Sequence, residues 1–186
     1  MNRINNQALR QTLLACSGLT VLAALLYFSH LQHNPPGFFI DESSIAYNAH
    51  TVSQTGHDDH GVAWPLFFRA FGEFKNPVYI YLLAALFRLT APGILVARCL
   101  SATIGLATAG FLGLLAARVS RCRLTGFLVA VMALLTPWLF ELSRIVMEVT
   151  LNPLALALFL LGVWRASTRR KWKSSDVLGL AATLAL

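Results

Sequence analysis

Charge is scarce in this sequence. Only 12% of its 186 residues are Asp, Glu, Lys or Arg, and the acidic residues number 8 against 15 basic ones. With 56% hydrophobic residues and a mean hydropathy of +0.63, the composition excludes an ordinary soluble domain and fits a multi-span membrane protein. Cysteine is scarce too. Cys16, Cys99 and Cys122 are few, odd in number and lack metal-ligand spacing, so no disulfide framework or zinc site is implied. They read as small apolar residues in or near membrane helices. There is no A-x-A-like cleavage site in Phe28 to His33, and the run before it is long for a signal-peptide core, so an uncleaved span is expected. Leu13-Leu14-Ala15-Cys16 resembles a lipoprotein box but precedes the apolar run instead of ending it. A basic face is also missing: the net charge of +7 lies in short clusters between apolar runs, which argues against a nucleic-acid partner.

Long apolar runs are what the sequence does have. Residues 12–31 match the length a helix needs to cross roughly 30 Å of hydrocarbon. Further spans are expected at 94–117, 124–140 and 153–164, and 177–186 starts another that stops mid-helix, so the chain is expected to continue beyond Leu186. Residues 78–89 are apolar but short and end at Thr90-Ala91-Pro92-Gly93, which suits an interfacial helix. Arg118, Arg121 and Arg123 follow the second span without an acidic partner. Arg165, Arg169, Arg170, Lys171 and Lys173 follow the fourth, and both loops are assigned to the cytoplasm. Counting crossings then puts the N-terminus inside, and 32–77 and 141–153 outside. The expected fold is all-α: a polytopic transmembrane helical bundle, one domain, with a helical outside loop after the first span.

That loop gathers most of the acidic residues: Asp41, Glu42, Asp58, Asp59 and Glu73. After the turn Asn34-Pro35-Pro36-Gly37, a helix is predicted over 41–53, with Ile45, Ala49 and Val52 on one face and Thr55-Gly56 as its end. Asp41 is placed to cap it and Glu42 to favour its dipole, roles that would explain both residues without chemistry. His57-Asp58-Asp59-His60 holds metal-ligand types, but adjacent ligands in a flexible run preset no coordination shell, and a solvated loop is favoured. Trp64, Phe67, Phe68, Phe71 and Phe74 suit a headgroup boundary. Arg98 falls near the outer end of the second span, where a lone cation is costly unless it snorkels or finds an anion.

Four stretches in order carry a family resemblance: Gly37-Phe38-Phe39-x-Asp41-Glu42-x-x-x-Ala46-Tyr47, Lys75-Asn76-Pro77-x-Tyr79-x-Tyr81-Leu82, Ala97-Arg98-x-x-Ser101-Ala102, and Ser143-Arg144 with Glu148. With the apolar runs around them, they resemble the N-terminal portion of GT-C-type integral membrane glycosyltransferases. The branch is that of protein O-mannosyltransferases and lipid A aminoarabinose transferases. The resemblance implies transfer of a sugar from a polyprenyl-phosphate donor to a hydroxyl on a glycan, lipid or protein acceptor, at the outer face of a bacterial inner membrane. It implies catalytic roles for Asp41, Glu42 and Glu148, and substrate-binding roles for Lys75, Arg98, Tyr47 and Arg144. A divalent cation, magnesium or manganese, would have Asp41, Glu148 and His60 as candidate ligands. The family's lysine commonly precedes proline directly, whereas Asn76 intervenes here, and Glu148 stands where the second carboxylate is often Asp. The rival readings are an inactive truncated transferase or non-catalytic membrane scaffold, and a transporter fragment; the last is disfavoured because the charges cluster at span ends.

Overall fold

A computed structural model describes residues 2–168 and 174–184; Arg169, Arg170, Lys171 and Lys173 of the expected basic loop lie outside them, as do Ala185 and Leu186. The order is α1 (Asn2–Phe28), α2 (Ile40–Thr55), β1 (Phe68–Ala70), β2 (Glu73–Lys75), α3 (Pro77–Leu89), α4 (Ile94–Ser120), α5 (Arg123–Leu134), α6 (Pro137–Leu142), a single 3₁₀ turn (Glu148–Thr150), α7 (Leu151–Ser167) and α8 (Ser174–Leu184). The chain is mostly helical, as expected. One small sheet departs from all-α: β1 and β2 pair antiparallel across Phe71-Gly72, both at positive φ, the backbone twist that a two-residue hairpin needs.

Among the described residues, two helical stretches are long and apolar enough to cross a membrane, Ile94–Ser120 and Glu148–Ser167. In α1 the apolar stretch among the described residues is Ser17–Phe28, and the helix stops before residue 31. The expected span 124–140 is not one helix. α5 has 12 residues, roughly 18 Å of rise, and the chain breaks at Thr136-Pro137. Pro137 forces the preceding residue out of helical geometry, and Thr136 adopts the extended backbone that follows from this. The fourth expected span, 153–164, falls within a longer helical stretch, because the turn at Glu148 leads directly into α7.

Contacts at the two ends of the long helices fix their direction. At one end Arg98 of α4 meets Glu42, and Glu148, just before α7, approaches Lys75; at the other end Arg118 of α4 lies over Trp164 of α7. α4 and α7 therefore run parallel, and α5 with α6 returns the chain between them. The return path packs closely: a Cβ on Gly113 would lie 2.7 Å from the Gly126 carbonyl oxygen, so only glycine lets α4 and α5 meet there.

Beside the long helices, α2 and α3 form a compact layer. Ile45, Ala49 and Val52 of α2 pack on Ile80, Leu83, Ala84 and Phe87 of α3, with Phe68, Val146 and Leu151 completing the cluster. The helical face predicted for α2 is the one that is buried. Gly56, at φ 75°, closes α2 through its N–H to the Val52 carbonyl, the left-handed stop that Thr55-Gly56 predicted. α3 follows the expected interfacial boundaries to within a residue. Its Tyr79 hydroxyl reaches the Ala97 carbonyl and Ser101 Oγ, tying the layer to α4.

Candidate functional site

The charged residues singled out in the sequence divide into two groups around the first turn of α2. Phe39, not Asp41, is the N-cap, so the capping role predicted for Asp41 is replaced by a place within the first turn. The reciprocal contact comes from Glu42, whose Oε2 accepts the Phe39 N–H at 3.0 Å.

Glu42 and Arg98 are both fully buried and face each other in a bidentate pair: Arg98 Nε donates to Oε1 at 3.1 Å and Nη2 to Oε2 at 2.9 Å. Arg98 Nη1 also donates to the Leu31 and Pro35 carbonyls, and Nη2 to that of Gly37. Five hydrogen bonds match the five N–H groups of a guanidinium, leaving none for an incoming phosphate. Glu42 Oε1 accepts a further bond from the Val146 N–H at 2.9 Å. This corrects two expectations. Arg98 found its anion within the chain instead of on a donor, and Glu42 is the buried counter-ion, not a reacting carboxylate.

Arg144 is corrected in the same way. Its Nη1 donates to the Leu26 and Tyr27 carbonyls and its Nη2 to those of Ser29 and Asn34, with only 3% of the residue exposed. A cation on the last carbonyls of α1 complements the negative end of that helix. Arg98 and Arg144 together pin the turn between α1 and α2, and so fix the frame on which Asp41 is carried.

The second group is open to chemistry. Lys75, at the end of β2, points its buried ammonium at Asp41 Oδ1 at 2.9 Å and Glu73 Oε1 at 2.5 Å, with Glu148 Oε1 at 4.0 Å. Burial opposes its charge, but the hydrogen bonds it donates to Glu73 and Asp41 outweigh that and, with the fields of Glu148 and Asp41, hold its pKa above the ordinary lysine value. Asp41 is 36% exposed, and its Oδ2 has no hydrogen bond among the described residues. Glu148 Oε2 is buried with no hydrogen-bond partner among the described residues. Three carboxylates and one cation thus converge from segments far apart in the chain, and one of the carboxylates, Asp41, is partly exposed. Glu73 was absent from the sequence-based set of site residues; only the alternation within β2, which puts Glu73 and Lys75 on one face, could have indicated it.

Tyr47 and His60 lie elsewhere. Tyr47 lines a groove of about 620 Å³ with Phe38, Ile40, Phe71, Phe87 and Ile94, on another face of α2. The Nδ1 of His60 is held by Asp59 Oδ1 at 2.6 Å, and His60 groups with Asp58 and Asp59 among the described residues, not with Asp41 and Glu148. Asp58 Oδ1 is in turn occupied by the backbone N–H groups of His60 and Val62. The expected cation ligands are therefore not assembled. Among Asp41, Glu73 and Glu148 the neutralising charge is the Lys75 ammonium itself, and no step through a metal follows from this arrangement.

No protein-family model matches the chain, and no curated protein or solved structure does.

Proposed function

We propose that the chain acts as a membrane glycosyltransferase that moves a sugar from a polyprenyl-phosphate carrier to an acceptor hydroxyl. One observation carries this reading: Asp41, Lys75 and Glu148, separated by 34 residues and more, meet at one end of two helices long enough to cross a bilayer. Asp41 Oδ2 takes the acceptor's proton as the hydroxyl attacks the anomeric carbon. The carbon–oxygen bond to the phosphate breaks, and Lys75 stabilises the charge left on the phosphate. Glu73 is the exposed partner of Lys75, the one a phosphate would displace, while Asp41 stays in place. Glu148, with its unpartnered oxygen, orients the acceptor hydroxyl. The groove lined by Phe38, Tyr47 and Ile94 begins one residue from Asp41, at Ile40, and suits the prenyl chain.

The same reading makes the chain multi-pass. α1, α4, α5 with α6, and α7 traverse in alternating directions, the carboxylates lie outside, and the Arg118–Arg123 loop faces the cytoplasm of a bacterial cell. Exposed Leu25, Leu128, Met132 and Leu156 would then face lipid.

Release of polyprenyl phosphate from polyprenyl-phosphate sugars, by the purified protein in lipid, tests the reaction. Wild type is expected to release it in the presence of an acceptor, and Lys75→Gln to release at least 100-fold less. Equal release by wild type and Lys75→Gln would overturn the assignment. So would absence of release across pentose, hexose and aminosugar donors, which would leave Lys75 and Asp41 as a structural pair in a non-catalytic scaffold.

A further inference from the structure

The opposite end of the long helices carries a feature that the transfer reading does not use. α4 and α7 pack together there, and a groove of about 410 Å³ opens beside them. Its walls are hydrocarbon, with Leu114 on α4 and Leu158 and Leu161 on α7. Its rim carries Arg118, Trp164 and Arg165, the Arg118 guanidinium lying 5.9 Å from the Trp164 ring centroid. No carboxylate pairs with either arginine among the described residues. Arg121 and Arg123, only a few residues away, do not line the groove.

Two cations with no carboxylate partner among the described residues, above an apolar groove at the ends of helices that could cross a bilayer, select a ligand with the complementary halves. We propose that this groove binds an anionic phospholipid, its acyl chains along Leu114, Leu158 and Leu161 and its phosphate between Arg118 and Arg165. The planar guanidinium fork matches phosphate oxygens, and an indole belongs at the level of the headgroups. The apolar walls give a soluble phosphate nothing to bind, and a zwitterionic lipid brings an ammonium that two arginines repel. The site is independent of the sugar-transfer reading, since no residue is shared.

Trp164 reports occupancy directly. The full chain, carrying Trp64→Phe, Trp138→Phe and Trp172→Phe so that Trp164 alone fluoresces, is reconstituted in phosphatidylcholine. Increasing fractions of brominated phosphatidylglycerol or brominated phosphatidylcholine are then added. Each cation near the surface is worth about fivefold in anionic-lipid affinity, so the two together predict a preference of roughly 25-fold for the anionic quencher. Arg118→Gln and Arg165→Gln should each lower that preference about fivefold. Both side chains are exposed, so the glutamine variants keep the fold. Lysine at either position should recover only part of the preference, because the charge remains but the bidentate fork is lost, and Arg121→Gln should leave it unchanged. Equal quenching by the two brominated lipids would overturn the site. So would a loss in Arg121→Gln as large as that in Arg118→Gln, which is what diffuse surface charge alone produces.

Discussion

Replacing Arg98 with alanine separates a structural guanidinium from a phosphate-binding one. The change removes five hydrogen bonds and leaves Glu42 fully buried without its cation. Breaking one side of a buried pair costs about 3–5 kcal/mol, because the remaining charge stays desolvated. Two backbone donors, Phe39 N–H and Val146 N–H, still hold Glu42 and favour the lower part of that range. Against this, the Leu31, Pro35 and Gly37 carbonyls lose a partner, each worth about 1 kcal/mol where water cannot replace it. The net expectation is about 4 kcal/mol, or a fall in Tm of roughly 10 °C for a chain of this size. Arg98→Lys should recover only part of it, since an ammonium has three donors for five acceptors. The double variant Glu42→Leu/Arg98→Met removes both charges and should be more stable than Arg98→Ala alone. Thermal unfolding in a mild detergent, followed by near-ultraviolet circular dichroism, gives the comparison. An Arg98→Ala protein that unfolds at the wild-type temperature would refute the reasoning and return Arg98 to the donor phosphate.

Three further outcomes follow from the packing and the loops. Gly105→Ala places a Cβ 1.9 Å from Ser143 Oγ, and should destabilise the protein by about 1–3 kcal/mol in the same unfolding assay, with Gly110→Ala, which meets nothing within 4 Å, as the control. Cys122 is exposed, and hydrogen bonds from the backbone and side chain of Thr125 lower its pKa, so a membrane-impermeant maleimide should label it readily at neutral pH and from one side only. A cysteine at exposed Leu66 should label only from the other side; shared sidedness would break the proposed crossing count. For Lys75, the folded pKa lies above the unfolded value, so its pairing contribution is complete below the ordinary 10.5 and is lost only as pH rises through the folded value. The stability difference between wild type and Lys75→Met should therefore be the same at pH 7 and pH 9, as measured by unfolding at each pH; a difference that fades between them would contradict the pairing.

Much of this layout was legible in the sequence where a local signal existed. The i, i+4, i+7 pattern of Ile45, Ala49 and Val52 gave the buried face of α2, and Gly56 gave its end. The scarcity of acidic residues drew attention to Asp41, and the family resemblance named Lys75 and Glu148; the three lie together in the structure. Distance along the chain hid the rest. Arg98, alone among apolar neighbours, demanded an anion, but Glu42 is 56 residues away and nothing local distinguishes it from Asp41 beside it. A shift of one residue on the helix, about 100°, turns Glu42 into the core and leaves Asp41 at the surface. Arg144 was misread for a similar reason: its acceptors are backbone carbonyls of α1, more than 100 residues earlier, and carbonyls carry no sequence signature. The break at Pro137 had a local cause, but hydropathy alone runs through it.

The central claim is that Asp41 does chemistry while its neighbour Glu42 holds the frame. The most direct measurement sets Asp41→Asn beside Glu42→Gln, in the full chain, scoring sugar transfer from a polyprenyl-phosphate donor and thermal stability on the same preparations. Asp41→Asn is expected to unfold within a few degrees of wild type, because Asn Oδ1 can still accept from Lys75, yet to lose transfer by a factor of at least 100. Glu42→Gln should instead unfold at a clearly lower temperature, in step with the loss of its buried pair with Arg98. An Asp41→Asn protein that transfers sugar at the wild-type rate would contradict the account.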